Sequence, residues 1–550
     1  MKGKTIFLAG MALVTAASLT SSAFAAAATV SKSDYDALIK RVNNLELKLE
    51  QKDEQRETDH TRLSTLEQSF GDVVWSFDNN RPQVRSGDGR FQLALRARFQ
   101  VDLANFMQDE DSFGLGTPVA QRDLASGVVI RRAYFGIEGR AFRDFWYEFR
   151  MNFGGSNTES GDAAVNLARV AFVGIPHFRI NIGVIQPIFT LSDTTSSGNL
   201  TFIERAEVVN IATDSFGGSD SRRGIELTYQ NTDQLMAGDN LVLSTAFTGQ
   251  KTGNNSNNHG TDEGTQWLGR AAYRFWSDGV SNAQIGGSAS QVLSLTGTGA
   301  FIPPSIGHVQ NFPGLTDRPE MRVDGQQLFG TNQLVSGNSI GTTGAACHLP
   351  GSLSCLAAKD GWLYGFDAGF NFRNFYMQGE YYKFGWNRDF DYYARNLTGP
   401  ANAPTLSALH HAGDPEFEGW YVEGSWIITG EPKTYSASAM NNEMGSWNSP
   451  RVIEPFSWDG HSWGAWEIAG RYSEVDTNWN DGHASTTVPI GGIRGGEEKA
   501  WTVGLNWYPN NNIRFVLNYI NVDADRLNAA GAFAGQKNLS IVGARMQFAF

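Results

Sequence analysis

The chain of 550 residues is 41% hydrophobic and 18% charged, holds 61 glycines and two cysteines, and carries a formal net charge of −13. So acidic a balance argues against nucleic acid as a partner. The mean hydropathy is −0.32 and no apolar run beyond the N-terminal segment approaches the ~20 residues of a spanning helix, which excludes a helical membrane protein but not a barrel, whose alternating strands average to ordinary hydropathy.

The N-terminus begins with Lys2 and Lys4, continues through an apolar run from Ile6 to Leu19 and reaches the small-residue site Ala23-Phe24-Ala25. This pattern predicts a secretory signal peptide over residues 1–25, cut after Ala25, because the apolar run is too short to serve as an anchor. Next, Tyr35, Leu38, Val42, Leu45 and Leu49, then Leu63, Leu66 and Phe70, recur three and four apart. That is a heptad seam, and it predicts a short α-helical coiled coil over residues 30–70. Lys52, Arg56 and Asp59 interrupt the seam as polar layers that set register or partner number. A single solvated helix is the plainer alternative.

After Gly71 the period changes from helical to strict alternation, and residues 87–550 read as strands. From Phe91 to Asp102 the odd positions are apolar and the even ones mostly polar. A soluble sandwich alternates in the same way. Recurrence of such segments to the C-terminus, at the ~9–11 residues a membrane-crossing strand needs, favours a transmembrane antiparallel β-barrel.

Within one loop, Cys347 and Cys355 are expected to form a stapling disulfide in an oxidising compartment. A metal site shared with His348 lacks a fourth ligand. No cofactor is implied.

Strands are expected over Trp466–Val475, Ala500–Tyr508, Ile513–Val522 and Leu539–Phe550, with only the tight Pro509-Asn510-Asn511-Asn512 turn between long connections. Short turns belong in the periplasm and long loops outside, so the C-terminus and the coiled coil are both expected in the periplasm and the strand count is even. The stretch from Gly430 to Trp463 breaks this scheme, being long on the short-turn side unless it hides an extra hairpin. Trp501, Val503, Leu505 and Trp507, and Val542, Ala544, Met546, Phe548 and Phe550, are assigned to lipid by period two.

The same alternation turns Arg96, Arg98, Arg150, Arg471, Arg514 and Arg545 into the lumen. On the lipid face each would cost ~2–4 kcal/mol near the midplane. Inside, they either attract anions or brace the wall against Glu138, Glu148 and Glu467. Arg131 and Arg132 are adjacent, so a regular strand sends one inward and one away unless a bulge turns both inward.

Several motifs together resemble the phosphate-selective porin O and P family across nearly the whole barrel. They are Gly89-Arg90-Phe91, the run from Arg131 to Gly139, Thr195-Ser196-Ser197 leading to Leu200–Arg205, Thr429-Gly430-Glu431, Gly464-Ala465-Trp466-Glu467 and Gly504–Pro509. The resemblance implies about 16 strands, three barrels per assembly and a constriction loop in each pore. It also implies that Arg131, Arg132 and Tyr134 contribute to an anion site and that Ser196 and Ser197 offer hydroxyl donors. The chain departs from the pattern where such relatives carry lysine before the serine pair: from Pro187 to Arg205 there is none, and Asp193 stands there.

The expectation is an outer-membrane channel, embedded in lipid as a homotrimer, for passive diffusion of small anions with phosphate as a candidate solute. A general diffusion porin without anion preference and a coiled-coil envelope tether with a secondary pore are the alternatives. Catalysis is not expected, since His348, His410, His411 and His461 sit in loops or at strand edges with no nucleophile motif nearby.

Overall fold

The computed structural model describes residues 31–71, 73–77, 81–108, 123–155, 164–218, 221–233, 235–251, 264–294, 315–325, 328, 358–388, 413–437, 444–483, 492–527, 531–533 and 535–550. The expected signal peptide and the Cys347–Cys355 pair lie outside these residues. The chain divides into two units, Met1–Asp72 and Val73–Phe550.

In the first unit, α1 is a single helix over Lys32–Gly71. Ser31 begins it, its Oγ accepting from the Asp34 amide at 3.2 Å, as a capping serine does. The seam residues Tyr35, Leu38, Val42, Leu45, Leu49 and Leu63 are all exposed on this helix.

The second unit opens with two short strands, β1 Val73–Ser76 and β2 Gln83–Ser86. Twelve long strands follow: β3 Gln92–Met107, β4 Gly127–Ala141, β5 Phe145–Asn152, β6 Ala164–Phe172, β7 Phe178–Ile185, β8 Arg222–Thr232, β9 Asn240–Lys251, β10 Thr265–Ser277, β11 Asn282–Ser294, β12 Ala358–Phe372, β13 Phe375–Arg388 and β14 Glu416–Ile427. After the short β15 Lys433–Ser436 and β16 Ser446–Pro450 come β17 Ala465–Trp479, β18 Ile493–Tyr508, β19 Ile513–Asp525 and β20 Gln536–Ala549. Each of the sixteen long strands pairs antiparallel with its neighbours, and β20 returns to pair with β3, Arg545 opposite Asp102. The result is a closed 16-stranded antiparallel β-barrel, in which closure removes the unpaired edges of the sheet. β2 extends the sheet beside the start of β3, with Gln83 opposite Ala94.

Period two governs the wall. On β18 Trp501, Val503 and Leu505 are exposed while Ala500, Thr502 and Asn506 are buried; on β20 Val542, Met546 and Phe548 are exposed while Arg545 is buried. The strands overrun their expected bounds. Ala500–Tyr508 is only the second half of β18, because Gly495, Gly496 and Glu497 blur the apolar alternation at its start.

Tight turns collect at one end of the barrel, such as Phe142–Asp144 between β4 and β5. Phe142 and Arg143 carry φ of 53° and 70° there. Between β18 and β19, Asn510 Oδ1 accepts from the amides of Asn512 and Ile513, 2.9 Å each, the local bond that makes asparagine a turn former. The barrel's first and last strands begin and end at this same end. The exception to tightness is the β14–β17 connection. It contains the anticipated hairpin, since β15 and β16 pair only with each other. This hairpin enters the lumen: Tyr435 donates to Gln284 on β11 and the Trp447 indole to Asn371 on β12, both at 2.8 Å.

From the opposite end the β7–β8 connection folds inward and carries α2 Leu191–Thr194 and α3 Glu207–Ser215. Its Val208, Val209, Ile211 and Phe216 pack with Tyr382, Phe384, Trp386, Phe417 and Val475 of the inner wall. A second cluster joins Ile203 and Met321 to Val516, Ile520 and Ile541. The apolar core therefore sits inside the barrel, between the inward-folded connection and the inner wall.

Candidate functional site

Strands β3 to β6 supply one wall of a recess inside the barrel. Their inward positions carry Arg96 and Arg98, Arg132 and Tyr134, Glu148 and Arg150, and Arg169. Opposite them runs the loop that contains α2. Thr190 caps this short helix, its Oγ1 accepting from the Asp193 amide at 3.2 Å. The amides of Leu191 and Ser192 donate to the Glu380 carboxyl group across the barrel, at 2.9 and 2.7 Å, which satisfies two of the amides that a helix start leaves without an internal partner. At the other end the Arg205 guanidinium donates to the carbonyls of Ser192, Asp193 and Thr195 at 2.9, 3.3 and 2.7 Å. Arg98 then fixes the loop to β3 by donating to the Ser197 and Ser196 hydroxyls, 2.9 Å each.

Wall and loop enclose a recess. Among the described residues its lining includes six arginines (Arg96, Arg98, Arg132, Arg150, Arg169, Arg205) against two carboxylates, Glu148 and Asp193. Glu148 draws Arg169 at 2.8 Å, Arg96 at 3.5 Å and Arg150 at 3.6 Å. Arg96 also pairs with Glu138 at 2.8 Å, and the Arg150 guanidinium lies 4.8 Å from the centre of the Tyr134 ring. Bracing and surplus positive charge coexist here.

Beside the recess Glu204 gathers four guanidiniums: Arg545 at 2.7 Å, Arg131 at 2.9 Å, Arg132 at 3.4 Å and Arg322 at 3.9 Å. Burial alone would raise this carboxyl, but Arg131, Arg132, Arg545 and Arg322 hold it well below the usual carboxylate range. Both tandem arginines reach it because the register slips: Gln100 pairs with Arg132 and Val101 with Ile130, leaving Arg131 as the extra residue of a bulge.

Of the residues expected from sequence, Arg96, Arg98, Arg132, Tyr134, Arg150, Ser196 and Ser197 converge on the recess. Arg131, Arg471, Arg514 and Arg545 face the lumen but are held elsewhere. Arg471 donates to Glu320 at 2.5 Å and to the Glu204 carbonyl at 2.9 Å. Arg514 donates to the carbonyls of Thr201 and Gly198 at 2.9 and 3.4 Å. These bonds clamp the loop against β17–β20. Asp193 lines the recess. Sequence reasoning missed Arg169, although Ala168 and Val170 flank it as period two requires; it also missed Arg205 and Glu204, which lie in a loop where no period operates. Among the described residues no group of three or more His, Cys, Asp or Glu is placed to hold a metal.

Residues 96–550 match the family model described as phosphate-selective porin O and P. Porin O of Pseudomonas aeruginosa is 22% identical over 453 residues, covering 81% of this chain and 86% of the relative. An uncharacterized protein of Caulobacter vibrioides is 24% identical over 493 residues, covering 87% and 77%. Among solved structures, the outer membrane channel DcaP of Acinetobacter baumannii aligns over 85% of this chain and 99% of its own at 11% identity and a TM-score of 0.40. Salmonella typhi OmpF in complex with daunomycin aligns over 84% and 98% at 13% identity and a TM-score of 0.42.

Proposed function

The chain belongs to the phosphate-selective porin O and P family, and from that membership we propose that it is an outer-membrane channel whose arginine recess favours small anions without being strictly specific for phosphate. The observation that carries this reading is the charge of the recess, six guanidiniums against two carboxylates. Arginine stays ionised at every physiological pH, and rings of it favour anions. Asp193 weakens the case for strict phosphate specificity, because a carboxylate in the same recess repels a multiply charged oxyanion.

The test is the zero-current potential of single channels in a planar bilayer under a KCl gradient, repeated with phosphate. Anion preference with chloride conductance blocked by phosphate supports the reading. Cation preference, or none, replaces it with general diffusion, a reading favoured by the way Glu148 draws on three of the six arginines.

We further propose that the tight-turn end, with both ends of the barrel sequence, faces the periplasm, and that residues 1–25 are removed on export. The exposed heptad seam of α1 supports self-association there, since an apolar stripe on a lone helix lacks a partner to bury it. A homotrimer is the assembly we propose.

A further inference from the structure

We propose that the loop 453–463, between the lumen hairpin and β17, is a membrane anchor that seats Trp458, Trp463 and Ile453 in the interfacial layer of a phospholipid leaflet. These side chains are 95%, 64% and 74% exposed. Groups of this size standing together in water mark an interaction surface.

The loop is built to present them. Its backbone is pinned to the neighbouring turn, Phe456 N donating to Pro509 O at 2.7 Å and Val452 N to Asn511 Oδ1 at 2.8 Å. It closes on itself through Ser457 N to Ser462 O at 3.0 Å and Gly460 N to Ser457 O at 3.2 Å. Gly460 supplies the required positive φ of 80°. Several backbone polar groups are thus met by protein, as a segment bordering hydrocarbon requires, while the Asp459 and His461 side chains stay exposed at the tip of the loop.

Phe456 joins the loop to the barrel wall. Its ring meets Trp458 at 5.0 Å and Trp507 at 5.6 Å, both edge-on, and Trp463 at 6.1 Å. Trp507 in turn stacks on Trp466 at 5.5 Å and Phe515 at 5.3 Å, on the outward faces of β17 and β19. The loop's aromatic surface therefore continues the lipid-facing wall without a break. Indole rings favour the headgroup level, where one edge is apolar and the other wet. The occupant is lipid rather than a second copy of the chain, because exposed apolar residues recur in tight turns around the same rim, at Phe142, Ile175, Leu235 and Val280. A subunit contact would claim one sector only.

The experiment reconstitutes the full chain and Trp458→Phe into vesicles of phosphatidylethanolamine and phosphatidylglycerol, with and without brominated acyl chains, and takes the difference in tryptophan emission. The Trp458 contribution is expected to be lost in brominated vesicles and resistant to aqueous acrylamide. Quenching by acrylamide with none by bromolipid overturns the proposal. Resistance to both quenchers, with loss of the detergent-resistant oligomer in Trp458→Ser, also overturns it, in favour of a subunit contact. The folded barrel is confirmed for each variant by its heat-dependent migration.

Discussion

Arg545 grips Asp102 with two prongs across the seam where the barrel closes, Nε to Oδ1 at 2.6 Å and Nη2 to Oδ2 at 2.7 Å, with both side chains buried. The two residues are also direct register partners. Removing one member of a buried pair strands the other, at a cost of about 3–5 kcal/mol. Asp102→Asn is expected near the lower end of that range, because Arg545 keeps Glu204. The loss should appear as a lower urea midpoint for the heat-modifiable folded form. Asp525→Asn, which breaks the exposed pair with Lys537, should cost no more than about 1 kcal/mol.

Opposite shifts in selectivity are expected from two substitutions in the recess. Arg98→Ala removes one guanidinium and loosens Ser196 and Ser197, so the anion-to-cation permeability ratio falls. Asp193→Asn removes one of two opposing carboxylates, so the ratio rises. Zero-current potentials measure both, and equal directions would dissociate the recess from conduction.

Glu204 sets an acid limit. Its folded value lies well below the ordinary 4.5, so its contribution to stability is complete above 4.5 and is lost only as pH falls through the depressed folded value. The urea midpoint attributable to this group should therefore stay level from pH 7 down through 4.5. Glu204→Gln leaves four guanidiniums around a neutral amide and should lower the midpoint at every one of those pH values.

Glu207 acts in the opposite sense. Burial, with Glu498 facing it and Asp317 and Glu320 nearby, pushes its carboxyl well above 4.5. A raised folded value means that the stabilisation is complete below 4.5 and is lost as pH rises through the folded value. Raising the pH through that folded value should then loosen α3 from the inner wall, read as a falling urea midpoint, and Glu207→Gln should flatten that fall.

The lumen hairpin should limit current. Trp447 packs with Leu191, Tyr376 and Tyr435, so Trp447→Ala is expected to release the hairpin and raise single-channel conductance. An unchanged conductance would place the limiting section elsewhere.

The wall was legible in the sequence because a strand buried on one side writes its environment in period two. Arg96, Arg98 and Arg150 were placed inward by their apolar neighbours alone, and Arg169 could have been. The filling of the lumen was not legible. A bulge at Arg131 depends on the register against Gln100 and Val101, which is a property of two strands. Arg205 and Glu204 are positioned by carbonyls and guanidiniums that arrive from up to hundreds of residues away, so no local pattern announces them. The β15–β16 hairpin showed only as a length that strand parity could not place.

The clamp on the inward-folded β7–β8 loop belongs to the latest part of the chain. The loop leaves the sheet after β7, yet Arg471, Arg514 and Arg545, which hold it, lie on β17, β19 and β20. During synthesis and export, then, the loop exists well before its seat does. Until β20 pairs with β3, Arg545 has no fixed position from which to reach Glu204. The loop's final placement therefore awaits the last strands and the closing of the sheet. Placement of the loop thereby reports that assembly is complete.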